Sequence, residues 1–497
     1  MSDATPHAMP DATPDATPHA TSDAAAPLRS VPHLAVVGAT VLTASSPDAC
    51  TFVGPATIEV VDDRITAIVA EPTSVALARL SASNAHGITD PAGTTRDAGA
   101  TEVIDATGLV AMPGFVNTHC HAAMTLLRGA AEDVTVKAWF DDYIWPMEVN
   151  LEPGDVYLGT LAAAAEMIEA GVTTFADHYF FMDEAARAVV DSGIRADLGS
   201  AFFTSQGDAG LEQSVDFATR WHRAADGRIT TSIAPHAPYT VSDNHLSRAA
   251  DAARTLGVRV HTHAAEDMHQ TEVSLESRGI TPIDVLHRTG VLDAGVIIAH
   301  GNGITPADIE LLAPHADRVG VTHGPKGYLK FALGPLTPIR ALLAAGVPVG
   351  YCTDGAASNN TLDIAENMRI ASLAQKQVEG DPTWFTNPMA LHLAGPGSAA
   401  VIGRRGELGE VSVGALADLA LIDVSGFHCQ PLHDLAAVLV HCIRGGDVRT
   451  TIVGGRVLMR DRQLLTIDRA TVLAEMHSRA TTITDRSHGR RIQDYTT

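Results

Sequence analysis

The feature that most constrains this chain is a series of eight short apolar stretches, each running into polar residues and most of them followed by an amphipathic, Ala-rich segment. They end at NTHCH (His121), TTFADHYF (Phe180), ADLGSAFF (Phe203), TTSIAPHAPYT (Thr240), VRVHTHAAE (Glu266), VIIAHGN (Asn302), RVGVTHGP (Pro325) and VPVGYCTDG (Gly355). Strands alternating with helical segments, such as 155–170 and 337–345, imply a parallel sheet with crossover helices. Eight such units match an α/β fold of the closed (β/α)8, TIM-type barrel. A doubly wound open sheet is the runner-up. It does not explain why nearly every strand end carries a His or an Asp, whereas barrel enzymes build their sites at those ends.

The flanks read differently. From Leu34 the runs LAVVGATVLTA, ATIEVVDDRITAIVA and TEVIDATGLVAMPG alternate and are punctuated by turn residues such as Asp62-Asp63. Similar text returns in GELGEVSVGALADLALIDV and VRTTIVGGRVLMRDRQLL. These pieces bracket the middle region and suggest a small β-sandwich built from both ends of the chain. Residues 72–100, rich in Ser, Ala and Gly, read as a long surface loop. The expected division is a low-complexity, disordered tail over 1–30, sandwich strands over 31–110 and 401–470, the barrel over 111–400, and a C-terminal helix or tail over 471–497. Asp-Ala-Thr-Pro recurs in the first segment, which has too little apolar surface to offset its ordering entropy. Its His7 and His19 follow tail composition.

Composition narrows the function. Of 497 residues 45% are hydrophobic, ample for a large core, and no run of eighteen uninterrupted apolar residues suggests a membrane span. The start of the chain lacks the pattern of a signal peptide. A net charge of −24 argues against a nucleic-acid partner, which calls for a basic footprint. Five widely spaced cysteines suggest no disulfide framework and fit a reducing cytoplasm.

The chemistry centres on Pro113–Ala122, where an apolar strand runs into His119 and His121. Residues two apart on a strand share a face, so both imidazoles can reach one metal ion. His263, in HTHAAE at the end of the fifth strand, and Asp354, in CTDGAASNN at the end of the eighth, complete a candidate set of three imidazoles and a carboxylate. Such a set suits one divalent metal per chain, zinc first, with Fe2+ or Mn2+ as alternatives. A solvent molecule would complete the shell, its pKa lowered toward neutrality. Glu266, three residues past His263, is the candidate proton shuttle; a capping or surface glutamate is the plainer alternative. His300 ends the sixth strand as either a second metal's ligand or a hydrogen-bond donor to the attacked centre. No lysine ends the fourth strand to bridge two metals, so one metal is the simpler expectation. His236 would face substrate, with a satisfied core histidine as its rival. For His178 and His323 the two readings weigh equally.

With these residues in hand, the chain resembles the amidohydrolase superfamily from about residue 34 to about 460. Within it, the resemblance is to the 5-methylthioadenosine/S-adenosylhomocysteine deaminases and their chlorotriazine-hydrolase relatives. PGFVNTHCHAAMTLLRG, WPMEVNL, GVTTFAD, APHAPYT, AHG and TDGAASNNTLD carry it. The resemblance implies His119, His121, His263 and Asp354 as ligands, Glu266 as the shuttle, His300 beside the reacting centre, and Asp354 doubling as a base. It implies Glu148, in Trp-Pro-Met-Glu, as the group holding ribose hydroxyls, a task suited to a carboxylate acceptor. It also implies that His236 contacts substrate and that Ser358 lies in a substrate-contacting loop. Homo-oligomers are common among such relatives.

Two departures lie at the barrel mouth. After the seventh strand the family's His-Asn-Pro-x-Ser-Asn-x-Lys is replaced by His323-Gly-Pro-Lys-Gly-Tyr-Leu-Lys330, which puts Tyr328 among the candidate substrate contacts. His178 stands where a methionine is common. Arg187, Arg195, Arg220 and Arg223 are candidates for holding a homocysteine carboxylate, although surface charge is the plainer reading of each. The expected activity is hydrolytic deamination of an adenosine-type nucleoside: 5-methylthioadenosine, S-adenosylhomocysteine, 5′-deoxyadenosine or adenosine. The rivals are hydrolysis of a triazine or pterin substituent, deamination of aminodeoxyfutalosine, and a metal-stabilised scaffold on an inactivated barrel.

Overall fold

Every residue of Phe115–Cys120 (β1) is buried, as a parallel strand covered on both faces must be. The computed structural model describes residues 34–86, 88–89, 95–96, 101–493 and 495; the Asp-Ala-Thr-Pro tail lies outside them. β1 is followed by Val172–Tyr179 (β2), Arg195–Phe202 (β3), Ile229–Pro235 (β4), Arg259–Ala264 (β5), Val296–His300 (β6), Val319–His323 (β7) and Val349–Tyr351 (β8). Each pairs in parallel with the next in chain order, giving the eight-stranded sheet expected from the sequence.

The seam between β1 and β8 is closed largely by side chains. Thr118 Oγ1 donates to the Tyr351 carbonyl at 2.9 Å. The Asn117 amide donates to Thr353 Oγ1 at 2.7 Å and its oxygen accepts from Thr353 N at 3.0 Å. Asp354 N reaches the His119 carbonyl at 3.1 Å. The barrel is thus shut beside two expected ligands. The ladders end before several of the expected strand ends, β4 at Pro235 and β8 at Tyr351, because the chemistry-bearing residues sit on the turns that follow.

The two ends of the chain meet in one mixed, nine-stranded sheet in which Leu109–Pro113 pairs antiparallel with Leu419–Asp423. That sheet curls on itself, Arg64 bridging to Leu416, so the layers of the expected sandwich belong to one continuous sheet around its own core, including Val36, Ile58, Leu419 and Ile452. The insert read as a loop over 72–100 instead begins with a helix, Thr73–His86. Its Ala76 and Leu80 lie one turn apart and pack on Ala35 and Val37, a small apolar stripe hidden among polar residues.

The barrel is tied to the terminal sheet by a buried ion pair. Arg195, at the start of β3, donates through Nε and Nη2 to Asp418 at 2.9 and 3.0 Å, and Gly454 N donates to the same carboxylate at 2.7 Å. Among the described residues no helix is long and apolar enough to cross a membrane.

Candidate active site

At the C-terminal end of the barrel the chain turns sharply. Ala265 (φ 49°), His300 (φ 79°) and Asp354 (φ 58°) all adopt the left-handed region, which costs a non-glycine residue energy and recurs at functional sites. These turns gather residues from β1, β5, β6 and β8. Asp354 Oδ1 lies 3.2 Å from His121 Nε2 and 3.4 Å from His119 Nε2. His263 Nε2 lies 3.3 Å from His121 Nε2. The loop after β8 approaches closely: a Cβ on Gly355 would stand 2.6 Å from Met124 Sδ and 3.3 Å from His121 Cβ.

The opposite ring nitrogens are held from behind. His121 Nδ1 donates to the His178 carbonyl at 2.6 Å and His263 Nδ1 to the His236 carbonyl at 2.9 Å. In the neutral ring, each Nε2 is thereby the nitrogen with the lone pair, aimed at the centre. His119 Nδ1 faces His261 Nε2 at 2.9 Å, while its buried Nε2 has no hydrogen-bond partner. Burial lowers His119 to about 3 and His263 well below its ordinary value, keeping both in the neutral, ligating form. His121 moves the other way, to about 9: burial opposes its charging but the Asp354 carboxylate outweighs it. That carboxylate calls for a cation between the rings. The ligand atoms of His119, His121 and Asp354 lie within 4.8 Å of one another, as do those of His119, His263 and His300, and this histidine-rich cluster with its carboxylate fits a divalent metal such as zinc.

The proposed proton shuttle is anchored beside this cluster. Asp267 caps the helix Met268–Arg278 by accepting from Gln270 N at 2.7 Å, which ends the strand and leaves Glu266 on the turn. The Gln270 amide donates to Glu266 Oε1 at 3.0 Å. Desolvation nevertheless pushes the Glu266 carboxyl up to about 7. Glu148 lies on the helical turn Trp145–Glu148, reached through a π-helical turn over Trp139–Ile144, a form common at functional sites. It is buried, accepts from the Tyr179 hydroxyl at 2.6 Å, and is likewise pushed by burial to about 7.

The remaining expected site residues divide by what holds them. Glu148, His236, Glu266, His300, Tyr328 and Ser358 all line one open cavity together with His121, His263 and Asp354. His236 Nδ1 pairs with Thr240 Oγ1 at 2.9 Å, and its ring lies 4.6 Å from that of Phe203. His300 stacks on His263 at 5.4 Å and faces the Tyr328 ring at 5.7 Å. The Tyr328 hydroxyl accepts from Gly324 N at 2.9 Å, so the ring is what this residue offers the cavity. Ser358 Oγ donates to Asp354 Oδ2 at 2.5 Å, a bond to one of the expected ligands. His178 lines the cavity, whereas His323 is fully buried outside its wall with Nδ1 on Thr337 Oγ1 at 3.0 Å. None of the four candidate arginines faces the cavity. Arg195 is spent on Asp418, Arg187 on Glu184 and Arg220 on Asp183.

Several residues escaped sequence reading. Gln270 sits one helical turn from Glu266, a spacing that could have marked it. Tyr179 follows His178 and could have been read as the other face of the strand end. Trp139, Phe140 and Tyr495 also line the cavity, and nothing in the spacing of Tyr495 points there.

Comparison with known proteins agrees with this geometry. The model of the amidohydrolase family matches residues 110–458. The chain belongs to the amidohydrolase family. Among amidohydrolase relatives, the 5-methylthioadenosine/S-adenosylhomocysteine deaminase of Pelotomaculum thermopropionicum is 43% identical over 385 residues, covering 77% of this chain and 88% of the relative. The 5′-deoxyadenosine deaminase of Methanosarcina acetivorans is 39% identical over 390 residues, covering 78% and 89%. A crystal structure of an adenosine deaminase from Xanthomonas campestris with bound zinc superposes with a TM-score of 0.81 at 30% identity, covering 91% of this chain and 98% of that one.

Proposed function

We propose that this amidohydrolase is a metal-dependent hydrolytic deaminase that converts an adenosine-type nucleoside and water to the inosine-type product and ammonia. One observation carries the reading: a carboxyl raised to about 7, Glu266, stands on the turn directly after the strand that carries His263. A general acid–base catalyst works best when its pKa lies near the operating pH. The names of the relatives, 5-methylthioadenosine/S-adenosylhomocysteine deaminase and 5′-deoxyadenosine deaminase, support the substrate class.

His119, His121, His263 and Asp354 would hold the metal. Its chemistry, when bound, is to make a water molecule nucleophilic near neutral pH. Glu266 takes one proton from the attacking water and delivers it to N1 of the adenine ring as the oxygen bonds to C6. Asp354 takes the second proton from that oxygen and passes it to the amino group. The C6–N bond then breaks with its electron pair, ammonia leaves, and a C6 carbonyl remains. His300, stacked on His263, donates a hydrogen bond to the oxygen at C6 and orients it. Glu148 accepts from the ribose hydroxyls, and His236 and Ser358 border the substrate.

The test is ammonia release by metal-analysed protein on adenosine, 5′-deoxyadenosine, 5-methylthioadenosine, S-adenosylhomocysteine, aminodeoxyfutalosine and a pterin, with chloride release from a chlorotriazine measured beside it. Release from the nucleosides with about one metal per chain supports the reading. Activity confined to the pterin or triazine would replace it.

A further inference from the structure

The last stretch of the chain does not end at the outer helix. Arg469–Ile483 lies against Pro153–Glu169, Arg479 donating to Asp155 through Nε at 2.6 Å and Nη2 at 2.7 Å. Beyond it, the Asn150 amide holds the carbonyls of Ile483 and Asp485 at 3.1 and 2.6 Å and turns the chain toward the barrel mouth. There the chain is fastened along the segment that leads to Glu148. The Arg486 guanidinium lies 4.1 Å over the Tyr143 ring and donates to the Asp142 carbonyl at 2.6 Å. Asp141 accepts from Tyr495 N at 2.9 Å and pairs with Arg491 at 3.7 Å, while Lys137 Nζ donates to the Tyr495 carbonyl at 3.3 Å.

These fastenings seat the Tyr495 ring in the wall of the substrate cavity, where the residue is only 8% exposed. It stacks on Phe140 at 5.0 Å with 11° between planes. It also stands 6.1 Å from Tyr239, which follows β4 on another side of the mouth. A ring-to-ring path therefore connects the metal end to the strap. His121 faces Tyr179 at 6.0 Å, Tyr179 holds Glu148, and Trp145 on the Glu148 turn lies 4.7 Å from Phe140. Among the described residues lining the cavity there is no lysine or arginine, while Glu148, Glu266, Asp267 and Asp354 supply four carboxyl groups.

We propose that residues 485–493 together with Tyr495 form a strap that completes the substrate pocket, and that Tyr495 is a specificity residue making the region beyond the ribose an uncharged aromatic cradle for a small apolar 5′ group. This inference rests on the deaminase reading, which places the ribose at Glu148. A group extending from the 5′ carbon away from the metal then meets Phe140, Trp145 and Tyr495. A hydrogen, methyl or methylthio substituent gains contact with these faces, sulfur included. An amino-acid substituent would bring a carboxylate among Glu148, Glu266, Asp267 and Asp354 with no lysine or arginine among the described lining residues, and desolvating an unpaired charge is costly.

The test compares kcat and KM on 5′-deoxyadenosine, 5-methylthioadenosine, adenosine and S-adenosylhomocysteine for the full-length, metal-replete protein, Tyr495→Ala and Tyr495→Phe, with a thermal melt of each. Wild type is expected to favour 5-methylthioadenosine over S-adenosylhomocysteine by about tenfold or more in kcat/KM. Tyr495→Ala should raise KM for 5-methylthioadenosine about tenfold, an aromatic contact's worth, with kcat nearly unchanged. Its S-adenosylhomocysteine constants should hardly move, so the preference collapses, and Tyr495→Phe should keep it. Equal wild-type use of the two substrates, or a parallel fall in kcat on all of them in Tyr495→Ala, would overturn the inference and leave the deaminase reading standing. Silence of the wild type on every nucleoside would overturn the reading and the inference with it.

Discussion

Ser358 Oγ donates to Asp354 Oδ2 at 2.5 Å, which leaves Asp354 Oδ1 as the oxygen facing His119 and His121. The hydroxyl thus fixes the rotation of the one carboxylate among the proposed ligands. Removing such a supporting partner typically costs about 10–100-fold in metal affinity or activity. Ser358→Ala should lower metal affinity and kcat within that range without changing the fold. Metal competition titration and steady-state rates check both.

Glu266→Gln should keep the metal and lose turnover. The amide fits the space and can still pair with Gln270, but it cannot carry a proton. A loss of about 10²–10⁴-fold in kcat is expected, with metal content by elemental analysis unchanged. Full activity in this variant would remove Glu266 from the proton path.

The carboxyl of Glu148 should make substrate binding depend on pH. Burial raises it to about 7, so above that pH it is ionised and accepts from both ribose hydroxyls. As pH falls through about 7 it becomes neutral and loses acceptor capacity, so KM for a ribosyl substrate should rise on the acid side. Glu148→Gln should flatten that limb. Tyr179→Phe should move it to higher pH, because the Tyr179 hydroxyl stabilises the ionised form. KM profiles against pH for the three proteins decide the matter.

The Arg195–Asp418 pair should matter for stability rather than chemistry. Both side chains are 3% exposed, so Asp418→Ala strands a buried guanidinium, at a cost of roughly 3–5 kcal/mol. A lowered midpoint in thermal or urea unfolding is expected, with kcat retained at temperatures where the variant is folded. An Arg195→Met/Asp418→Leu pair, which leaves no charge uncompensated, should recover much of the loss.

What could be read from the sequence, and what could not, follows from how local each signal is. The eight strands were legible because each is a short buried run bounded by helical text. His119 and His121 were legible because a strand's two-residue period aims them together, and His263 because it stands at the end of the fifth strand. The Thr73–His86 helix was not, since only Ala76 and Leu80 mark its buried face among polar neighbours. Tyr328 could be read as a candidate substrate contact, and it lines the cavity, but that its hydroxyl accepts from Gly324 N is set by loop geometry that residue type does not reveal. Tyr495 was out of reach because its place depends on fastenings to Asp141 and Asn150, hundreds of positions earlier.

Asn117 and Thr353, which join the first barrel strand to the last, are 236 residues apart in the chain. Long-range contacts of this kind are made only after the entropy of closing the intervening loop has been lost, and they form late. Because His119 and Asp354 flank that seam, closing the barrel also brings these two proposed metal ligands together. A nascent chain has no complete centre until its eighth strand arrives. A metal bound by the proposed ligands would resist reopening of the seam, and so would also act as a clasp of the fold.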